Sequence, residues 1–260
     1  MKFTMYQIDA FAQNIFEGNP AAVIPLKEWI ADTLMQKIAM ENNLSETVFF
    51  VKEREKYHVR WFTPKAEVDM CGHATLASAY VIFEELHEQD HEIVFSSKSG
   101  DLVVKKASDG LLAMDFPVQE IAECTIPQQI IDSFTQKPIV CYKSMDYIVI
   151  FENEQDVIDA KPNLEVLKSL DARGVCIASV SKKYDFVTRF FAPKYGIDED
   201  PVTGSAFTQL IPYFYKRLDT QKFSCKQLSP RGGEVFCKSK EAKVEISGFC
   251  VKFFQGEIIL

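Results

Sequence analysis

The feature that most constrains this chain is that it repeats itself at half its length. Arg60-Trp61-Phe62-Thr63-Pro64-Lys65 returns as Arg189-Phe190-Phe191-Ala192-Pro193-Lys194, 129 positions later. Gly72-His73-Ala74 returns as Gly204-Ser205-Ala206 after 132 positions, and Gly100-Asp101-Leu102 as Gly233-Glu234-Val235 after 133. Three landmarks in one order at a nearly constant offset point to a duplicated module. Each copy reads as a strand ending in Phe-x-Pro, a loop, and then a strongly apolar helix.

The local patterns fill in that module. Lys2–Asp9, Ala22–Leu26, Thr47–Lys52 and Tyr57–Phe62 read as strands, rich in β-branched and aromatic residues between turn signals. Asp32–Met40 puts Leu34, Ile38 and Ala39 on one helical face. His73–Leu86 and Ser205–Leu218 read as helices so apolar that they must be buried on most sides. Strand-like Glu92–Ser96, Asp101–Lys106 and Leu111–Asp115 follow the first of them. A helix buried all round needs sheet wrapped about it, which predicts an α+β fold of two pseudo-symmetric, barrel-like domains. The expected division is 1–116 and 117–248, with the strand-like end, 249–260, free to pair back onto either half.

Composition narrows the function. A formal charge of −8 repels phosphate backbones and argues against nucleic acid as a partner. The longest apolar runs, such as Ala77–Phe83, are too short for a bilayer span, and Met1–Asp9 lacks a signal-peptide pattern. A cytoplasmic, membrane-free protein is expected. Seven cysteines, an odd number with no C-x-x-C spacing, predict reduced thiols buried in strands, with no metal site and no disulfide framework. Neither G-x-G-x-x-G nor G-x-x-x-x-G-K-[ST] occurs, and no cofactor is expected. His87 and His91 lie at a polar helix end and read as solvated surface; Arg60 and Arg189 read as residues that hold each module together.

Polar groups gather just before the two apolar helices. Glu67-Val68-Asp69-Met70-Cys71-Gly72-His73 leads into the first, and Asp198-Glu199-Asp200-Pro201-Val202-Thr203-Gly204-Ser205 into the second. Glycine there lets backbone approach a ligand, while the first-turn N–H groups and the helix dipole favour an anion. Two such starts facing one cleft would cradle a carboxylate. Read singly, each is a helix cap, with Asp69 and Thr203 as the capping side chains. A third segment, Asn43-Leu44-Ser45-Glu46-Thr47, sets Glu46 at the head of the apolar run Val48-Phe49-Phe50. Apolar surroundings favour the neutral form of a carboxyl group, which suits acid/base work near neutral pH. Gly18-Asn19-Pro20, taken alone, is a turn.

Taken together, these segments resemble the PhzF family of phenazine-biosynthesis-like isomerases. The matching residues are Phe16-x-Gly18-Asn19-Pro20-Ala21-Ala22-Val23, Leu44-Ser45-Glu46-Thr47, Arg60-x-Phe62-Thr63-Pro64, Cys71-Gly72-His73-Ala74-Thr75, Glu199-Asp200-Pro201-Val202-Thr203-Gly204-Ser205 and Arg231-Gly232-Gly233. The resemblance implies the diaminopimelate epimerase fold, two sheets each rolled around a helix, and a homodimer. It implies Glu46 as the proton-transferring residue, with Asp200 and His73 as substrate partners. Gly72, Gly204 and Ser205 fall around the substrate carboxylate, and Asn19 and Ser45 join the binding positions. In the phenazine enzyme the reaction moves hydrogen between ring carbons of a dihydro-hydroxyanthranilate.

This chain departs from that pattern at Cys71. Racemases of the wider fold use two facing thiols, yet the matching stretch Asp198–Gly204 holds no cysteine, so Cys71 is expected to be a small packing residue. Three functions remain open at this point. They are a cofactor-independent isomerase of a small carboxylate, an amino-acid or hydroxy-acid epimerase or racemase, and a carboxylate-binding protein without turnover.

Overall fold

The computed structural model describes residues 1–260 and divides into two compact units, Met1–Met114 with Ser247–Leu260, and Asp115–Ile246. Both mix parallel and antiparallel strands with helices, an α+β architecture. No helix is long and apolar enough to cross a membrane.

The first unit runs β1 (Lys2–Ala10), β2 (Asn19–Leu26), α1 (Asp32–Asn42), β3 (Glu46–Glu53), β4 (Lys56–Phe62), β5 (Glu67–Val68), α2 (Gly72–Tyr80), β6 (Glu92–Ser97), β7 (Gly100–Lys106) and β8 (Leu112–Pro117). β2 and β3 are parallel, joined through α1, with Ala21 opposite Glu46. β3 then turns back antiparallel into β4, placing Thr47 opposite Phe62. Residues Thr47 to Val51 of β3 are all buried, because α1 packs on one face of that strand and α2 on the other. A strand covered on both faces reads as a continuous apolar run, not as an alternation. The α1 side is closed by Ile24, Met35, Ile38, Phe49 and Phe62.

α2 is surrounded as its composition requires: every residue from His73 to Ala79 is buried, against β1, β2, β3 and the chain's last strand. The regular helix is shorter than the periodicity predicts. It gives way after Tyr80 to a wider, π-helical turn over Val81–Glu85, where Leu86 N–H bonds to Val81 O. Packing sets this outcome, since Val81, Ile82 and Phe83 remain buried through the turn. His87 and His91 beyond it are exposed.

The second unit contains β9 (Ala122–Cys124), α3 (Gln128–Ser133), β10 (Val140–Lys143), β11 (Tyr147–Ile150), α4 (Glu154–Ile158), α5 (Leu164–Leu167), β12 (Val175–Val180), β13 (Phe186–Phe191), α6 (Gly204–Leu218), β14 (Lys222–Gln227), β15 (Gly233–Lys240) and β16 (Lys243–Gly248). The chain's last strand, β17 (Cys250–Ile259), pairs antiparallel with β1 of the first unit over its whole length. β11 and β12 are parallel, β12 and β13 antiparallel, and β13 and β14 parallel. The first unit shows the same sequence of pairings in β2–β3, β3–β4 and β4–β6.

The duplication reaches side chains. Arg60 grips both carboxylate oxygens of Glu67 at 2.8 and 2.9 Å and lies over the ring of Phe62. Arg189 grips Glu199 at 2.7 and 2.9 Å and lies over Phe191. Both arginines therefore tie the strand ending in Phe-x-Pro to the loop that leads into the long helix. Bidentate geometry fixes that loop more firmly than a single contact would.

Candidate functional site

Glu46 opens β3, its side chain only 16% exposed, at the point where the parallel neighbour β2 begins. The beginning of β2 is held closed by Gly18, whose φ of +67° and close approach to the Ala10 carbonyl leave no room for a side chain. Asn19 follows, fully buried at the first position of β2, so this segment is a strand entry and not only a turn. Ser45 lies half-buried in the loop directly before Glu46.

His73 reaches the same place from α2. Its Nε2 lies 3.0 Å from Glu46 Oε2, and both side chains are largely buried. The two atoms meet at hydrogen-bonding distance without the alignment of a good hydrogen bond, and neither finds another partner in the chain. On the other side of the ring, Nδ1 lies 3.4 Å from Cys71 Sγ. Burial alone disfavours the imidazolium, but Cys71 and Glu46 outweigh it, and His73 titrates well above its ordinary 6.5. Burial, reinforced by the charge of Glu46, pushes the Cys71 thiol up.

One expectation about this segment changes. Asp69 does not cap α2: the N-cap is Cys71, which makes no side-chain cap bond. Cys71 is buried, as a packing residue would be, and its sulfur also touches a ring nitrogen of His73. The chain supplies no hydrogen-bond partner for the first-turn N–H groups of Gly72 and His73.

Within the second unit, Asp200 sits half-buried ahead of α6, and Thr203 Oγ1 donates to its Oδ2 at 2.5 Å. Thr203 is the N-cap of α6 but, contrary to expectation, makes no side-chain cap bond. Gln227 locks this loop, accepting from Thr203 N–H at 2.9 Å and donating to Asp200 O at 2.8 Å. Gly204 and Ser205 open α6, half-buried. Nothing in the sequence marked Gln227. Nothing marked Asp146 either, which is fully buried, accepts from Arg173 at 2.9 and 2.6 Å and from Gln209 at 2.6 Å. These partners are far apart in the chain, and only the fold joins them.

The register identifies what stands at each equivalent place. Phe62 lies opposite Thr47, and Phe191 opposite Val175, so Val175 corresponds to Thr47 and Gly174 to Glu46. A Cβ at Gly174 would come within 2.6 Å of the Phe190 ring and 2.8 Å of the Phe191 carbonyl oxygen. The second unit thus has no room for a twin of Glu46. Counting back from Gly72 and Gly204, Cys71 corresponds to Thr203.

The donor atoms of Glu46, Cys71 and His73 lie within 4.8 Å of one another, close enough to suit a cation by distance. The imidazole turns one nitrogen to sulfur and the other to the carboxylate, bringing three titratable groups into contact. Chemically the group offers a carboxylate able to take and return a proton, a histidine able to carry positive charge beside it, and backbone donors for an anion.

Comparison with known proteins gives a match over residues 8–256 to the family model PhzC-PhzF, phenazine biosynthesis-like protein. An uncharacterized isomerase of Pseudomonas aeruginosa is 42% identical over 260 residues, covering all of both chains. A PhzF-family protein of Enterococcus faecalis, whose crystal structure is known, is 42% identical, covers 100% of both chains, and superposes with a TM-score of 0.98. A PhzC/PhzF protein of Clostridium difficile is 43% identical with a TM-score of 0.94, covering 99% of this chain and 100% of its own.

Proposed function

The chain belongs to the PhzC-PhzF family of phenazine biosynthesis-like proteins, and from that premise we propose that it is an isomerase acting on a small carboxylate-bearing substrate. In this reading Glu46 is the acid/base. Its carboxylate takes a proton from a carbon of the substrate, the electron pair shifts the double bond, and the same carboxyl group, its proton having exchanged with solvent, delivers a proton to a second carbon. No electrons enter or leave, and the product is an isomer. The observation that carries the reading is the Glu46–His73 pair, 3.0 Å apart and largely shielded from water at the start of a buried helix.

His73 beside Glu46, carrying positive charge, stabilises the carboxylate before it takes the proton and again after it gives it up. The N–H groups of Gly72 and His73 suit the substrate carboxylate, Gly204 and Ser205 are assigned to the same carboxylate, and Asp200 is assigned a hydrogen bond to another group of the substrate. Asn19 and Ser45, on either side of the Glu46 strand start, are assigned to substrate binding. Isomerisation is favoured over two-base epimerisation because Gly174 and Thr203 occupy the places where a second carboxylate or thiol would stand in the repeat.

The test is proton NMR of candidate cyclic and unsaturated carboxylates, a dihydro-hydroxyanthranilate among them, incubated with the protein in D2O. Deuterium appearing at a ring or vinylic carbon supports the reading. Deuterium appearing only at an amino-acid or hydroxy-acid α-carbon replaces it with epimerisation. A carboxylate that raises the melting temperature while none of the panel exchanges would point instead to binding without turnover.

A further inference from the structure

Each long helix begins with a residue that forgoes the task its position invites. An N-cap side chain ordinarily accepts a hydrogen bond from the first turn of its own helix. Neither Cys71 at the head of α2 nor Thr203 at the head of α6 does so. These two residues hold the same place in the repeat, and both turn to a titratable side chain expected in the site. Cys71 Sγ meets Nδ1 of His73 at 3.4 Å, and Thr203 Oγ1 donates to Oδ2 of Asp200 at 2.5 Å. The pattern is shared although the chemistry of the residue is not, one being a thiol and the other a hydroxyl.

The consequence for His73 follows from the shape of the ring. An imidazole flipped about its last torsion exchanges Nδ1 with Cδ2 and Nε2 with Cε1. Glu46 Oε2 would then face a C–H group in place of Nε2. The 3.0 Å approach of Glu46 lacks hydrogen-bond alignment and so fixes the flip less firmly than an aligned bond would. The sulfur on the opposite edge of the ring favours the same flip, since it pairs with Nδ1 and has nothing to gain from Cδ2. Cys71 is itself fixed: its carbonyl oxygen accepts from Thr75 N–H at 3.1 Å and from Thr75 Oγ1 at 2.6 Å, anchoring it to the buried helix.

We propose that Cys71 is a positioning residue, whose sulfur holds Nδ1 of His73 so that Nε2 is presented to Glu46. The inference rests on the reading of Glu46 and His73 as the reacting pair, but its test requires no turnover. His73 ring nitrogens can be observed by long-range 1H–15N NMR of uniformly labelled protein. The chain has only four histidines, and His73→Gln identifies the signals that belong to this one. Cys71→Ala is expected to move both His73 ring 15N resonances toward the averaged pattern shown by exposed His87 and His91. Cys71→Ser, which restores a polar atom at the same place, is expected to bring them most of the way back. The wild-type pattern persisting in Cys71→Ala would overturn the proposal, as would a Cys71→Ser protein whose pattern matches that of the alanine variant. Should Cys71→Ala fail to fold, Cys71→Ser is compared directly with wild type, and a ring pattern like that of the exposed histidines overturns it. Failure here leaves the deuterium-exchange test of Glu46 untouched, so the two readings fall separately.

Discussion

Gly174→Ala tests the asymmetry of the repeat, because the sign of its effect distinguishes two accounts of that glycine. If the glycine is incidental, adding a methyl group restricts the unfolded chain and stabilises the protein by roughly 0.4–1 kcal/mol. The structure argues for the opposite sign. The new Cβ would sit 2.6 Å from Phe190 Cζ and 2.8 Å from the carbonyl oxygen of Phe191. Neither gives way freely. Phe191 is held in the β12–β13 ladder opposite Val175, and the Phe190 ring is buried beneath the Arg173 guanidinium. Gly174 O also accepts from Tyr147 N–H at 3.0 Å, which fixes the glycine's own backbone. Crowding of this kind costs about 1–3 kcal/mol, leaving a net loss of ~1–2 kcal/mol after the entropic gain. Urea unfolding followed by circular dichroism should show a lower midpoint at unchanged slope, with a fall in Tm of roughly 2–6 °C. A midpoint raised or unmoved would refute the packing argument, and with it the claim that the second unit is sterically barred from holding a twin of Glu46.

Three further perturbations follow from the same geometry. Gly18→Ala meets the Ala10 carbonyl at 2.1 Å and a φ of +67°, and should cost about 2–4 kcal/mol, read as lost soluble yield or a lowered urea midpoint. Asp146→Asn removes the charge that pairs with Arg173 inside a fully buried network and should cost about 2–4 kcal/mol in the same assay, less than a wholly buried pair because Arg173 is partly exposed. The hydrogen bonds from Arg60 hold the Glu67 carboxyl at about 2 against an ordinary 4.5, despite the opposing effect of burial. A depressed carboxylate contributes stability that is fully present above 4.5 and is lost as pH falls through 2, so the Tm difference between wild type and Glu67→Gln should be largest near neutrality and close over that interval.

Much of the scaffold was legible because it is written locally. The Phe-x-Pro strand ends and glycine-led apolar helices repeat in the sequence, and the structure repeats Arg60–Glu67 as Arg189–Glu199 at the matching places. Glu46 stood out by the apolar run behind it, and His73 by the glycine in front. Their meeting at 3.0 Å was not legible, since one comes from a strand start and the other from a helix start. The second unit shows the limit most clearly. Strand register equates Glu46 with Gly174, a correspondence that motif spacing alone does not give. The contact of Cys71 with His73 was hidden for a related reason. Sequence position marks a helix start, whereas the direction a thiol faces is decided by the packing around it.

The account depends most directly on Glu46, and the decisive measurement pairs chemistry with binding in one variant. Glu46→Gln keeps the size and shape of the side chain while removing its capacity to accept a proton. With a carboxylate that wild type exchanges in D2O, the variant should lose deuterium incorporation by at least ~10³-fold, while the same ligand still raises its Tm by nearly the wild-type amount. Exchange by Glu46→Gln at a rate near that of wild type would contradict the account, because some other group would then be moving the proton.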